Sequence, residues 1–228
     1  MDDDRTTGPL GPAGTKSAPA SSPTMPWDAR LARLLIRPLV ETPVHPNHVT
    51  TVGLAVGLAA AALYASGSWA SLGALLFVFS AVLDHADGEL ARLSGKTSAF
   101  GHAYDRIADL VVKLALFTGM GLGLRHSALG RWAAVAGVAA GLALIAIFLM
   151  RSEIARWRGL SALDQPSAGG FEIEDILYAI APLTWAGWLL PFVVAAGIGA
   201  PLVALWVSRQ YFNLRAAVAA TRSTACQS

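Results

Sequence analysis

The stretch DHADGELARLSGKTSAFGHAYDRIAD, residues 84–109, places four aspartates, Asp84, Asp87, Asp105 and Asp109, between two long apolar runs. Carboxylates inside or beside a hydrocarbon layer are costly, and where they occur they usually serve a function. At about 100° per residue, Asp84, Asp87, Gly88, Ala91 and Arg92 fall on one helical stripe. Gly101, Asp105 and Asp109 recur every four residues and form a second stripe. The short connection LSGKTSA predicts that the two helices are antiparallel neighbours, with their acidic rows facing each other across a cavity.

Four carboxylates that close repel one another. Leaving them charged in a low-dielectric site costs several kcal/mol per ion, on the order expected for buried ions. Protonation relieves part of this and a divalent cation relieves more. Oxygen-only ligands without His or Cys point to a hard ion, Mg²⁺ first and Mn²⁺ second. Four carboxylates suffice for two such ions roughly 3.5–4 Å apart. Mg²⁺ commonly binds through few protein ligands plus substrate phosphates, so a phosphate or diphosphate substrate follows. Gly88, Ala91 and Gly101 leave room for it on the stripes. Arg92 offers a planar fork of donors to a phosphate, and Lys96, Thr97 and Ser98 add donors at the cavity mouth.

The chain around this stretch is built for lipid. Of its 228 residues 54% are hydrophobic and 14% charged, which fits a multi-pass membrane protein better than a soluble domain. A net charge of +2 gives no footprint for nucleic acid. The single cysteine, Cys226, excludes an internal disulfide and a cysteine metal site; lipidation of a tail cysteine is the less common fate. Residues 1–25 are rich in Pro, Gly, Ser, Thr and Ala, lack the pattern of a signal peptide, and read as a disordered tail.

Residues 26–41, PWDARLARLLIRPLVE, interleave Leu31, Leu34 and Leu35 with Arg30, Arg33 and Arg37. This predicts an amphipathic juxtamembrane helix lying at the interface. Asn47 is expected to cap the helix that follows. Six apolar segments then suit crossings near 48–66, 69–92, 99–123, 130–151, 173–195 and 197–219, each close to the roughly 20 residues a bilayer demands. The fold class is therefore all-α, a polytopic domain over 42–220 with six transmembrane helices, and 221–228 as a short C-terminal tail. Pro182 and Pro191 mark the fifth segment as kinked or misbounded, and GIGAP makes the boundary before the sixth the weakest. Arg30, Arg33, Arg37, Arg92, Lys96, Arg151, Arg156, Arg158, Arg209, Arg215 and Arg222 fall on the amino-terminal side, against Arg125 and Arg131 opposite. The positive-inside rule makes that side cytoplasmic, with both termini and the acidic rows.

Asp84-x-x-Asp87-Gly88-x-x-Ala91-Arg92, then eight residues, then Gly101-x-x-x-Asp105-x-x-x-Asp109 resembles the signature of the CDP-alcohol phosphatidyltransferase family at every position and spacing. The resemblance implies a reaction. A CDP-linked donor binds through its diphosphate, an alcohol hydroxyl attacks the phosphorus distal to the cytidine, and CMP leaves. It implies that Asp84, Asp87 and Asp105 are metal ligands, with Asp109 the general base and a possible contact of the second metal. It implies that Gly88, Ala91, Arg92 and Gly101 line the cytidine diphosphate site, with Ser98, Asn47 and Thr50 near the nucleotide. A homodimer in a bacterial inner membrane is the accompanying expectation.

The acceptor is less legible. Lys113 continues the third-helix stripe, and Arg151 and Arg156 close the fourth helix; these suit a phosphorylated acceptor such as an inositol phosphate or glycerol phosphate. Glu172, in FEIED, suits a polyol or a cationic headgroup, or simply the positive end of a helix. A chain of this length favours phosphatidyl transfer from CDP-diacylglycerol to a small polar alcohol over phosphocholine or phosphoethanolamine transfer to diacylglycerol. Membrane prenyltransferases share aspartate-rich diphosphate sites but not this spacing. An ion or proton transporter would place acids near mid-membrane with access from both sides.

Overall fold

The computed structural model describes residues 33, 34, 36–158 and 175–225. The expected tail 1–25, the start of the juxtamembrane helix, Glu172 and Cys226 lie outside the described residues. Every regular element among the described residues is a helix. The long ones are α1 (Pro46–Ser66), α2 (Ala70–Ser94), α3 (Ala99–Gly123) and α4 (Arg131–Arg158). Two short helices, α5 (Asp175–Tyr178) and α6 (Ile180–Trp185), precede α7 (Leu189–Ala225).

Local chemistry sets the ends. Pro46 opens α1, where its missing N–H costs nothing. The cap is His45, whose Nδ1 accepts from the Asn47 backbone N–H at 3.4 Å, so the expected cap at Asn47 is displaced by two residues. α2 stops at Gly95, which takes the left-handed conformation with φ of 67°. Ser98 then caps α3, accepting from the Gly101 N–H at 2.9 Å.

Among the described residues five helices are long and apolar enough to cross a membrane: Pro46–Ser66, Ala70–Ser94, Ala99–His126, Arg131–Trp157 and Leu189–Val218. The expected fifth and sixth crossings are divided differently from the sequence reading. The break falls at Gly187, with φ of 75°, where the Trp188 N–H closes on the Leu183 carbonyl at 2.8 Å. The helix then runs without interruption through Gly197 and Pro201, the place where the boundary was expected. Pro182 and Pro191 stand near the starts of α6 and α7, where a proline needs no backbone donor. In an apolar helix the bond lost at Pro201 is tolerated because neighbouring groups re-satisfy the carbonyl.

The packing also departs from the simplest expectation. α1 lies against both α2 and α3, whereas α2 and α3 have little direct contact with each other. Gly57 shows why α1 fits there. A Cβ at this position would stand 2.7 Å from both methyls of Val112 on α3 and 2.8 Å from Ser80 Oγ on α2. Gly119 and Gly123 on α3 allow equally close approach, since a Cβ would strike the backbone oxygens of Ala61 and Tyr64. These glycines serve helix packing. α4 covers the far side of α3, α7 lies along α4, and α6 leans on α2.

The core has two parts. Tyr64, Phe77, Leu116, Phe117, Met120 and Val193 belong to the larger cluster. Ile36, Val49, Leu83, Ala86 and Leu90 form the smaller one beneath the aspartates. The described end of the juxtamembrane segment is anchored there: Ile36 is 1% exposed, while Leu34 is 69% exposed. Only Arg33, Leu34 and Ile36 are helical before a 3-10 turn at Arg37–Leu39, so the described residues do not establish a helix over 26–41.

Candidate active site

The lower turns of α2 carry Asp84 and Asp87, and the first half of α3 carries Asp105 and Asp109. The two rows come near each other: Asp84 feels the negative charges of Asp109, Asp105 and Asp87 and the positive charge of Lys113. Acids gathered this closely call for a positive partner, either a proton or a metal ion.

Asp87 and Asp109 each have a protein partner. Asp87, 3% exposed, accepts from the Thr50 hydroxyl of α1. Asp109 accepts from Lys113 Nζ, one turn further along α3, at 2.6 Å. Among the described residues no set of three or more His, Cys, Asp or Glu side chains stands in the arrangement of a metal centre. The donor chemistry nevertheless fits a hard cation. It consists of carboxylate oxygens alone, held on two helices and lining adjoining chambers.

The aspartates stand between two chambers rather than around one cavity. The first, roughly 330 Å³ with its open mouth, includes Asn47, Gly88, Ala91, Ser98 and Gly101 in its wall, with Asp87 and Asp105. The second, roughly 610 Å³ on the same measure, includes Ser80, His85, Lys113 and Tyr178, with Asp84 and Asp109. Thr50 belongs to both walls. The structure thus sorts the candidate residues by chamber. Every small motif residue lies on the first side, and Lys113 lies on the second.

Several donors that the sequence offers to a ligand are already engaged. Lys96 Nζ donates to the carbonyls of Thr42 at 3.0 Å and Val44 at 3.1 Å, fastening the connection before α1. Ser98 Oγ serves the cap of α3. Gly101 earns its place by proximity: a Cβ there would lie 3.0 Å from Ser98 Oγ and 3.2 Å from Asn47 Oδ1. Arg92, Arg151 and Arg156 are absent from the walls of both chambers, although Arg92 stands beside Gly88 of the first. Arg151 is exposed, and Arg156 pairs with Glu153 one turn back.

Two residues of the site, Tyr178 and Glu89, were not singled out from the sequence. His85 and Tyr178 flank the second chamber, their rings 6.5 Å apart. Glu89 binds Arg92 Nη2 at 2.7 Å through one oxygen and Arg33 Nε at 2.9 Å through the other. A carboxylate within an apolar helix with an arginine three residues on was the available signal for Glu89. Nothing in the sequence joins Tyr178 to His85 across 93 positions.

The chain is similar to known proteins in sequence and in fold. A family model described as CDP-alcohol phosphatidyltransferase matches residues 43–208. A bifunctional IPC transferase and DIPP synthase from Rubrobacter xylanophilus is 30% identical over 146 residues, 64% of this chain and 32% of that protein. A CDP-diacylglycerol–glycerol-3-phosphate 3-phosphatidyltransferase from Cereibacter sphaeroides is 44% identical over 80 residues, 32% of this chain and 36% of that protein. The matched stretches thus span about a third of these relatives' length. The crystal structure of phosphatidylinositol phosphate synthase from Mycobacterium tuberculosis, with CDP-DAG bound, superposes with a TM-score of 0.59 at 20% identity. It covers 82% of this chain and 94% of that one, a likeness of fold.

Proposed function

We propose, from the premise that this chain belongs to the CDP-alcohol phosphatidyltransferase family, that it transfers a phosphatidyl group from CDP-diacylglycerol to a small polar alcohol and releases CMP. The observation that carries this reading is the gathering of Asp84, Asp87, Asp105 and Asp109 along two chambers that share Thr50. A donor diphosphate belongs at the first chamber, among Gly88, Ala91 and Gly101, with Arg92 at its rim and Asn47, Thr50 and Ser98 beside it. An acceptor belongs in the second, where Asp109 and Lys113 stand. The acceptor is a polyol or polyol phosphate, such as inositol, inositol phosphate or glycerol phosphate. The names of the two bacterial relatives support this class, one of them specifying glycerol 3-phosphate.

Asp84, Asp87, Asp105 and Asp109 are the oxygen ligands available to Mg²⁺ or Mn²⁺. When bound, such ions neutralise diphosphate charge and polarise the phosphorus. The remaining roles belong to the chain. Asp109 accepts the proton of the acceptor hydroxyl as its oxygen bonds to phosphorus and the bond to CMP breaks. Lys113 orients the Asp109 carboxylate. Gly88 and Ala91 let a phosphate approach the helix backbone. Positioning and charge compensation do most of the work in such transfers.

In the membrane, five apolar helices cross, and the α5–α6 segment climbs between the level of His85 and that of Tyr64. The Tyr178 ring stands 6.5 Å from His85, and Thr184 Oγ1 bonds Tyr64 OH at 2.8 Å. We read this segment as a sixth, broken crossing, with the site and both termini cytoplasmic by charge placement. A homodimer in a bacterial inner membrane completes the proposal.

Purified protein in lipid, given CDP-diacylglycerol, Mg²⁺ and a panel of alcohols, is expected to release CMP with one acceptor. It is expected to lose that activity on chelation and regain it with Mg²⁺ or Mn²⁺. No CMP with any acceptor, or undiminished release after chelation, overturns the reading. Release driven by diacylglycerol from CDP-choline would place the chain with the phosphocholine transferases instead.

A further inference from the structure

We propose that Glu89 is a positioning residue of the donor site: it holds the Arg92 guanidinium at the rim of the first chamber and links it, through Arg33, to the segment that precedes α1. The inference rests on the donor assignment above.

Glu89 occupies a position between the fixed residues of the aspartate stripe, about 140° around α2 from Asp84. It is 4% exposed, yet it carries a carboxylate. A buried carboxylate persists only where it is paired and hydrogen-bonded. Glu89 meets that demand twice, with one oxygen on Arg92 and the other on Arg33. Its two partners are far more open, with side chains 65% and 48% exposed, against 6% for Glu89. The carboxylate is thus the fixed member, and the arginines are arranged around it.

The location of the guanidinium gives the arrangement a purpose. Arg92 Nη2 and Nη1 stand 3.8 Å and 3.9 Å from the place a Cβ on Gly88 would take. Gly88 is part of the first chamber's wall, beside Asp87. Glu89 therefore lays the Arg92 fork over the opening that Gly88 leaves. A guanidinium has five N–H donors, and Glu89 engages Arg92 through one nitrogen, so donors remain for a phosphate. An arginine already fixed in place loses less rotamer freedom when a ligand arrives. The trio of one carboxylate and two guanidinia also keeps a net positive charge at the mouth, where a diphosphate would enter.

Arg33 adds reach. It lies 56 residues from Glu89 in sequence and belongs to the segment anchored by Ile36. Lys96 fastens the same connection through the Thr42 and Val44 carbonyls. The segment before α1 is thereby tied to α2 by Arg33 and to the connection after α2 by Lys96.

The test is a double-mutant cycle on the full chain in lipid, read as the affinity for CDP with Mg²⁺ and as kcat and KM for CDP-diacylglycerol. Glu89→Gln is expected to weaken CDP binding and raise the donor KM about tenfold, with kcat changed less than threefold. Arg92→Ala is expected to weaken CDP binding at least as much. The double variant should be no worse than Arg92→Ala within about twofold, because Glu89 acts through Arg92. Unchanged affinity in Glu89→Gln, or losses that multiply in the double variant, overturns the proposal. A purely structural clip would lower kcat and thermal stability without this non-additivity. Should Glu89→Gln fail to fold, Arg33→Gln reads the same linkage: about threefold weaker CDP binding is expected, and unchanged affinity overturns the proposal. Wild-type protein that binds no CDP would instead remove the donor assignment itself.

Discussion

Lys113 Nζ donates to Asp109 Oδ2 at 2.6 Å, across one turn of α3, and both side chains are largely shielded from solvent. This pair forms one side of the second chamber, the side where an acceptor hydroxyl would meet its base. The ammonium compensates the acid without occupying both of its oxygens.

Asp109→Asn keeps the shape of the side chain and removes its ability to take a proton. Turnover is expected to fall by roughly 10²–10⁴-fold, the range for loss of a general base. CDP affinity should change little. Isothermal titration beside a CMP-release assay checks both, and an equal loss of CDP binding would make Asp109 chiefly a metal ligand.

Lys113→Met removes the cation that pairs with the Asp109 carboxylate while filling similar space. An unpaired charge in a shielded site costs about 3–5 kcal/mol when its partner is deleted. The variant is expected to need more Mg²⁺ for half-maximal activity and to show a raised KM for an anionic acceptor, with the donor KM unchanged. Steady-state kinetics varying each component separately will show whether the defect falls on the acceptor.

Thr50→Val is nearly isosteric but deletes the hydroxyl that binds Asp87. Leaving a buried acceptor unmade costs about 1–3 kcal/mol. Supporting groups around metal ligands are worth roughly 10–100-fold in metal affinity or activity. The expected outcome is a rise of that order in the Mg²⁺ concentration for half activity, and Thr50→Ser should restore much of the loss. A Mg²⁺ titration identical to wild type would remove Thr50 from the support of Asp87.

Gly57→Leu forces a side chain into a space already claimed by Val112 and Ser80. Overpacking of a tight interior costs about 1–3 kcal/mol or more. Lower thermal stability in detergent is expected, together with a loss of CMP release larger than unfolding at the assay temperature explains. Gly199→Ala, where a Cβ meets nothing within 4 Å, should behave as wild type in both measurements.

Much of the site was legible because its signal is periodic. Spacings of three and four residues are enough to put Asp84 with Asp87 and Asp105 with Asp109 on single helix faces. The apolar runs likewise gave the first four helices nearly at their observed limits. What the sequence hid is relational. Helical spacing says which residues share a face, but not which helix that face meets, so α1's place against both acidic helices went unseen. Glu89 lies off the stripe, and Arg33 finds it from a remote segment. The break at Gly187 was missed because the boundary was expected at GIGAP, where the helix instead runs on through Gly197 and Pro201. Lys96 and Ser98 looked like free donors, because a sequence does not say which polar groups the backbone will claim first.

Gly57 carries no charge, yet the helix it belongs to stands between α2 and α3, and a hydrogen atom is all the side chain that fits there. Bulk added at this one position would push against both acidic helices at once, so the separation of the two aspartate rows is sensitive to a residue far from any acid in the sequence.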